Sequence, residues 1–249
     1  MALTWSKRRQ SLYYTVGLFF VLLMLMGVYQ SFFTATPTCF DGKQNAAEGG
    51  IDCDGSCALV CSATARAPVV RWARSFQTAP KTYTAAAYIE NNNVGAAARG
   101  VGYTFQIFDE RNTLIVERHG TLDITPISVV AIVEPNIDIG NRTPARTLFA
   151  FSGTPVWYRQ QKQPPLLRVT NQALEPDGSR LAATLVNDQT VAVRGVGVAA
   201  VLFDATGVAR AASKTTVDVA ARSRQDIVFT WPQGTPDILR AEITVLPPL

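Results

Sequence analysis

Hydrophobic positions along this chain come in two textures. From Tyr13 to Phe33 they are nearly unbroken, as YYTVGLFFVLLMLMGVYQSFF, and no charged residue occurs between Arg9 and Asp41. A bilayer core of ~30 Å needs about 20 apolar residues in a helix, so this run predicts a spanning helix over 13–33. From Pro68 onward, short runs rich in Val, Ile, Thr, Phe and Tyr alternate with clusters of Asn, Gly, Asp and Pro. Such spacing predicts strands joined by tight turns, an all-β region.

Charge orients the apolar run. Lys7, Arg8 and Arg9 precede it, and Asp41, Glu48, Asp52 and Asp54 follow it. Positive charge stays on the cytoplasmic side. Residues 1–12 are therefore expected as a cytoplasmic stub, and everything after Phe33 outside. A cleaved signal peptide also starts basic and continues apolar, but its core is usually ~7–15 residues and ends at a small-x-small site. Cleavage after Ala35 would place bulky Phe33 at the minus-three position, so an uncleaved anchor is the better reading.

The β region contains an internal repeat. Arg99-Gly100-Val101-Gly102 recurs as Arg194-Gly195-Val196-Gly197, Phe108-Asp109 as Phe203-Asp204, and Thr121-Leu122-Asp123 as Thr216-Val217-Asp218. Upstream, Asn91 matches Asn187, and Pro68 matches Pro165. Order and spacing persist, so two copies of one domain are expected, over 67–155 and 166–249, with a linker at 156–165. Each copy reads as strands near 68–76, 82–91, 101–108, 127–133 and 146–151, or 165–173, 180–187, 196–203, 224–231 and 239–245. A further strand follows each Phe-Asp turn. The glycines of Arg-Gly-Val-Gly are read as opening a strand. Six or seven strands in each copy suggest an immunoglobulin-like β-sandwich.

Between anchor and β region, residues 34–66 are rich in Gly, Ala, Asp and Cys and show neither period. All four cysteines lie here: Cys39, Cys53, Cys57 and Cys61. An even set just outside a membrane points to disulfides. Spacing leaves all three pairings open. Asp41, Asn45, Glu48, Asp52 and Asp54 stand among the glycines and offer oxygen ligands for a hard cation such as calcium. The pattern from Cys39 to Cys57 resembles a short cysteine-rich motif of bacterial surface proteins. It carries Asp41, Gly42, Asn45, Glu48, Asp52, Cys53 and Gly55 in place, with Asp54 where that motif more often has Gly. The resemblance implies a location beside a membrane rather than an activity.

The second copy, with Asn187, Phe203, Asp204, Gly207, Asp218 and Phe229, resembles the bacterial FxLYD-type domain, and the first copy is a degenerate version of it. That resemblance implies non-catalytic extracytoplasmic modules. Composition agrees. The net charge of +4 comes largely from the stub, because the remainder holds twenty basic against nineteen acidic groups. Nothing argues for nucleic acid. His119 is the single histidine; with the cysteines confined to the loop it leaves no zinc set, and it is the only candidate base for a serine or cysteine nucleophile. Its counterpart is Lys214, which suggests a solvated position.

Asp109 and Asp204 are expected to hold hairpin turns with their side chains. Trp157 and Tyr158 sit in the joint between copies, TPVWYRQQKQPP, where they either pack between the sandwiches or offer an aromatic patch to a partner. The expected protein is a single-pass, membrane-anchored interaction or structural module of a bacterial envelope. It contacts lipid through 13–33, works with other envelope proteins and has no catalytic residues. The alternative is a ligand-binding receptor or an accessory subunit of an envelope complex.

Overall fold

The computed structural model describes residues 5–33, 38–45, 47–160 and 167–246. Its contacts divide the chain into two units, Met1–Cys57 and Ala58–Leu249. In the first, helix α1 runs over Trp5–Phe33. It starts eight residues before the expected span, so Lys7, Arg8 and Arg9 lie on its first turns. The segment from Trp5 to Gln30 is long and apolar enough to cross a membrane, and none of it is buried. By length and composition such a helix fits a membrane anchor or a signal sequence.

The second unit is built from strands. In its first half these are β1 (Val69–Ala79), β2 (Thr82–Asn91), β3 (Ala96–Phe108), β4 (Leu114–Ile124), β5 (Ser128–Asp138), β6 (Arg146–Phe151) and β7 (Trp157–Arg159). In its second half they are β8 (Arg168–Leu174), β9 (Arg180–Asn187), β10 (Val193–Asp204), β11 (Ala209–Val219), β12 (Ser223–Thr230) and β13 (Ile238–Leu246). Within each half every pairing is antiparallel. The sheets are β1-β2-β5 and β4-β3-β6 in the first half, and β8-β9-β12 and β11-β10-β13 in the second. Strand by strand, the two halves have the same order. Only β7, which pairs with the start of β3, has no counterpart among the described residues.

Three apolar layers hold the unit together. Ala85, Ala87 and Ile89 of β2 pack with Tyr103, Phe105 and Ile107 of β3 and Ile132 of β5 in the core of the first half. Leu181 and Leu185 of β9 pack with Val196, Val198 and Leu202 of β10 and Phe229 of β12 in the core of the second. The third layer joins the halves. Ala86 and Tyr88 of β2 and Ala131 and Val133 of β5 meet Ala199, Val201 and Phe203 of β10. Alternate residues of a strand point to opposite faces, so β2, β5 and β10 are covered on both sides. That explains their unbroken apolar runs, Ala85–Ile89 and Val196–Phe203. The halves therefore meet sheet against sheet. Trp157 of the expected linker packs into the core of the first half, and linker residues 161–165 lie outside the described residues.

Polar side chains fix the same three corners in both halves. Gly100 and Gly195 adopt positive φ (57° and 63°) at register shifts inside β3 and β10. The Arg-Gly-Val-Gly motif thus marks a bulge within a strand that begins earlier, rather than a strand's opening. The amide of each glycine donates to an aspartate, Asp123 or Asp218, both at 2.8 Å. This is why Thr-x-Asp recurs at the same offset. Asp109 accepts the amides of Arg111 and Thr113, and Asp204 those of Thr206 and Val208, the turn-holding role read from the sequence.

The third corner belongs to Asn91 and Asn187, each 1% exposed. Asn91 Nδ2 donates to the carbonyls of Ala96 and Thr125, and Asn187 Nδ2 to those of Val191 and Ala220. A buried carbonyl left without a donor costs about 1–3 kcal/mol. Asn187→Ala should therefore lower unfolding free energy by about 2 kcal/mol or more. Urea denaturation of the detergent-solubilised chain reads this; a midpoint unchanged from the parent would show that the corner does not depend on the amide.

Candidate functional site

The cysteine-rich loop of the first unit is held by a Cys39–Cys57 bridge. Cys53 and Cys61 are also disulfide-bonded, so no cysteine is free. Pairing was the part that spacing alone left open. Around the bridge the loop folds its acidic side chains onto its own backbone. Asp52 accepts the amides of Asp41 (3.0 Å) and Gly42 (2.9 Å). Asp41 accepts the Lys43 amide and the Asn45 side chain (2.8 Å). Glu48 accepts the amides of Asn45 and Asp52. The Asn45 side-chain donor, followed by backbone amides, holds the Asp41 carboxyl below its ordinary range.

These bonds tie the acidic side chains to the loop backbone. Of the five oxygen-bearing residues proposed for calcium, Asp41, Glu48 and Asp52 already satisfy backbone donors in a segment without an apolar core. A cation would have to compete with those amides for the same oxygens. Cys39, Glu48 and Cys57 place potential ligand atoms within 4.8 Å of one another, but the bridge between the two sulfurs removes them as thiolates. Asp52, Asp54 and Gly55 all take positive φ, which winds the chain tightly. At Gly55 an added Cβ would fall 1.4 Å from the Ala47 carbonyl oxygen.

Trp157 and Tyr158, proposed as a partner surface, separate. Trp157 is 3% exposed within the core of the first half, and Tyr158 is 43% exposed. Their strand β7 pairs with Ala96–Ala98 on one side. On the other it meets residues 58–60: Leu59 bridges Tyr158, the Val60 amide donates to Trp157, and the Arg159 amide donates to Ala58 (2.7 Å). β7 therefore clasps the stretch that follows the cysteine loop into the β body.

The contact surface lies instead at the seam between halves, which sequence reading missed. Trp72 stacks on Tyr88 with ring centroids 4.9 Å apart, Phe203 meets both rings edge-on, and Arg240 lies over Phe203. Tyr88 donates to Glu242, and the Ala131 amide to the Thr244 hydroxyl. Glu134 accepts both Tyr103 Oη (2.6 Å) and Lys214 Nζ (3.2 Å). Lys214 thus reaches across the seam, while its counterpart His119 is exposed and bonds Thr104 and Glu117 within its own half. Beside this network lies an open cleft of ≈ 340 Å³, lined by Tyr103, Asp123, Lys214, Thr216 and Leu246 among others. The available signal was the pair of two-sided apolar runs, which mark sheets covered on both faces.

No family model matches the chain, and no curated protein matches it.

Two measurements follow from this geometry. Gly55→Ala should prevent the loop from closing, so non-reducing peptide mapping should lose the Cys39–Cys57 linkage; quantitative linkage in the variant would overturn the close packing at Gly55. At the seam, burial pushes the Tyr88 hydroxyl up to about 12. A phenol whose folded value exceeds its unfolded value of about 10 stabilises fully below pH 10 and loses that contribution as pH rises towards 12. Thermal unfolding between pH 9 and 11.5 should fall less steeply in Tyr88→Phe than in the parent. Parallel curves would show that Tyr88 does not carry the alkaline sensitivity.

Proposed function

We propose that this protein is a single-pass membrane protein of a bacterial envelope that displays a non-catalytic interaction module outside the cell. The stub is cytoplasmic, α1 is the anchor, and residues 34–249 are extracytoplasmic. Each half of the β body is read as an immunoglobulin-like sandwich of the FxLYD type, over 67–155 and 166–249. The observation that carries this reading is an apolar, uncovered helix with Lys7, Arg8 and Arg9 at its start, followed directly by a loop whose cysteines are all oxidised. Disulfides persist where the compartment is oxidising, and positive flanks stay inside. Both rules give the same side.

Support for a non-catalytic role comes from how the polar groups are used. Asp109, Asp123, Asp204 and Asp218 hold turns and bulges. Ligand-binding receptor is the second reading, favoured by the cleft beside the seam. There Tyr103 and Lys214 already share Glu134, so a ligand would have to displace an existing network. Accessory subunit of an envelope complex remains compatible with both.

Topology is testable because the parent has no free thiol. Gln233 is exposed, and Gln233→Cys supplies a single reactive sulfur. A small membrane-impermeant maleimide should label it in spheroplasts without lysis. Labelling only after lysis would place the β body in the cytoplasm and overturn the reading.

A further inference from the structure

A second cleft, of ≈ 430 Å³, opens between the halves at the other end of β10 from the one beside Lys214. The β1–β2 hairpin and β5 line it from the first half, and β11 and the turn 231–236 line it from the second. Every residue that lines it is described. Strand register sets it apart from the undescribed stretches. Thr230, in its wall, lies opposite Arg180 at the start of β9, whereas Arg168 of β8 lies opposite Val186 near the end of β9. Asp204, the ion-pair partner of Arg210 in the wall, lies opposite Ile238 at the start of β13, whereas Leu246 lies opposite Gly197.

The polar side chains that stand out in this cleft are donors. Arg210 is its single charged residue. The Arg210 Nε donates to Asp204 Oδ2 (2.7 Å), and its two terminal nitrogens have no acceptor among the described residues. Asp204 is itself satisfied by the amides of Thr206 and Val208, so it holds the guanidinium in place without consuming the fork. Trp231 is 5% exposed, and its indole nitrogen is buried with no hydrogen-bond partner. An indole N–H can only donate, and buried polar groups nearly always have a partner. Phe76, Pro135, Pro232 and Pro236 add apolar surface.

The repeat shows that the strand pattern does not require these donors. At the repeat offset, Ile115 stands where the second half has Arg210, and Asn136 where it has Trp231. The first half still secures its hairpin aspartate, because Asp109 takes its arginine from Arg142 beyond β5. The corners that the halves share, at Asn187 and Asp218, use neither Arg210 nor Trp231.

We infer that this cleft binds a small organic molecule with one carboxylate, one carbonyl acceptor and an apolar body, the groups of an N-acylated amino acid. A guanidinium fork matches a carboxylate with two parallel N–H donors. The Arg210 terminal nitrogens take the carboxylate, the Trp231 N–H takes the acyl carbonyl, and the apolar body lies against Phe76 and the prolines. No acidic side chain lines the cleft to repel an anion. Its volume falls in the range of about 300–1,000 Å³ usual for small-molecule sites.

This site goes beyond the interaction-module reading and does not depend on topology, so a failure here leaves the thiol-labelling result standing. The probe is N-acetylphenylalanine, titrated into the full ¹⁵N-labelled chain in detergent micelles. The readout is the indole N–H resonance of Trp231, assigned by its loss in Trp231→Phe. Saturable binding should move that resonance. N-acetylphenylalaninamide, which lacks the charge, should bind at least tenfold more weakly. Arg210→Gln should weaken binding of the acid at least tenfold and change that of the amide by less than about threefold. An unchanged urea midpoint shows that Arg210→Gln keeps the fold; if the midpoint moves, the contrast between acid and amide in the parent decides. Absence of saturable binding, equal affinity for acid and amide, or a shift confined to another indole would overturn the proposal. So would binding of a peptide that ends in the same phenylalanine without binding of the free compound, since the ligand would then be a protein terminus.

Discussion

Two-sided burial of β2, β5 and β10 is the constraint on which the β body depends. A strand covered on one face alternates apolar and polar residues, and a strand covered on both cannot. β2 carries Ala85, Ala86 and Ala87 in succession, and β10 carries Ala199 and Ala200 between valines; all five are at most 1% exposed. Small side chains on the central strands let one sheet from each half stack closely. The larger rings of Trp72, Tyr88 and Phe203 then fill one part of the seam. Sheets stacked in this way do not part without exposing Val133, Val201 and Phe203 to water, at roughly 25 cal/mol per Å² of apolar surface. The halves are therefore coupled by area rather than by their covalent joint.

That coupling ties the two halves into one body. Two halves strung on a flexible joint would move independently. Here the sheets β1-β2-β5 and β11-β10-β13 each lose one face to the other half. Divergence between the copies follows this division. At the seam the copies differ as the contact requires: His119 stays in its own half, whereas Lys214 reaches Glu134 across it. At the corners, where each copy must solve the same backbone problem alone, Asn91 and Asn187, Gly100 and Gly195, and Asp123 and Asp218 keep both identity and partner.

Strand positions were legible because turn residues and β-branched runs are local signals. β2 and β9 coincide with their expected ranges of 82–91 and 180–187, and the hairpin aspartates act as read. What escaped was non-local. β7 is three residues long and follows Pro155; its place is set by Ala96–Ala98 and by residues 58–60, far off in sequence, so no window around Trp157 contains the cause. The bulge at Gly100 escaped for a related reason. A glycine after Arg99 reads as a break, and only the distant Asp123 that bonds its amide shows that the strand continues. In the cysteine loop, residue types suggested cation ligands, and Asp41, Glu48 and Asp52 also accept backbone amides. An acidic side chain among glycines serves either purpose, and composition does not separate the two.

The clasp at β7 has a mechanical consequence. The stretch from Ala58 to Val60 pairs with β7, and β7 pairs with β3, so a pull on the chain at Ala58 loads the first half through adjacent strands. Trp157 anchors that load in the core, where its side chain removes more apolar surface from water than any neighbouring alanine.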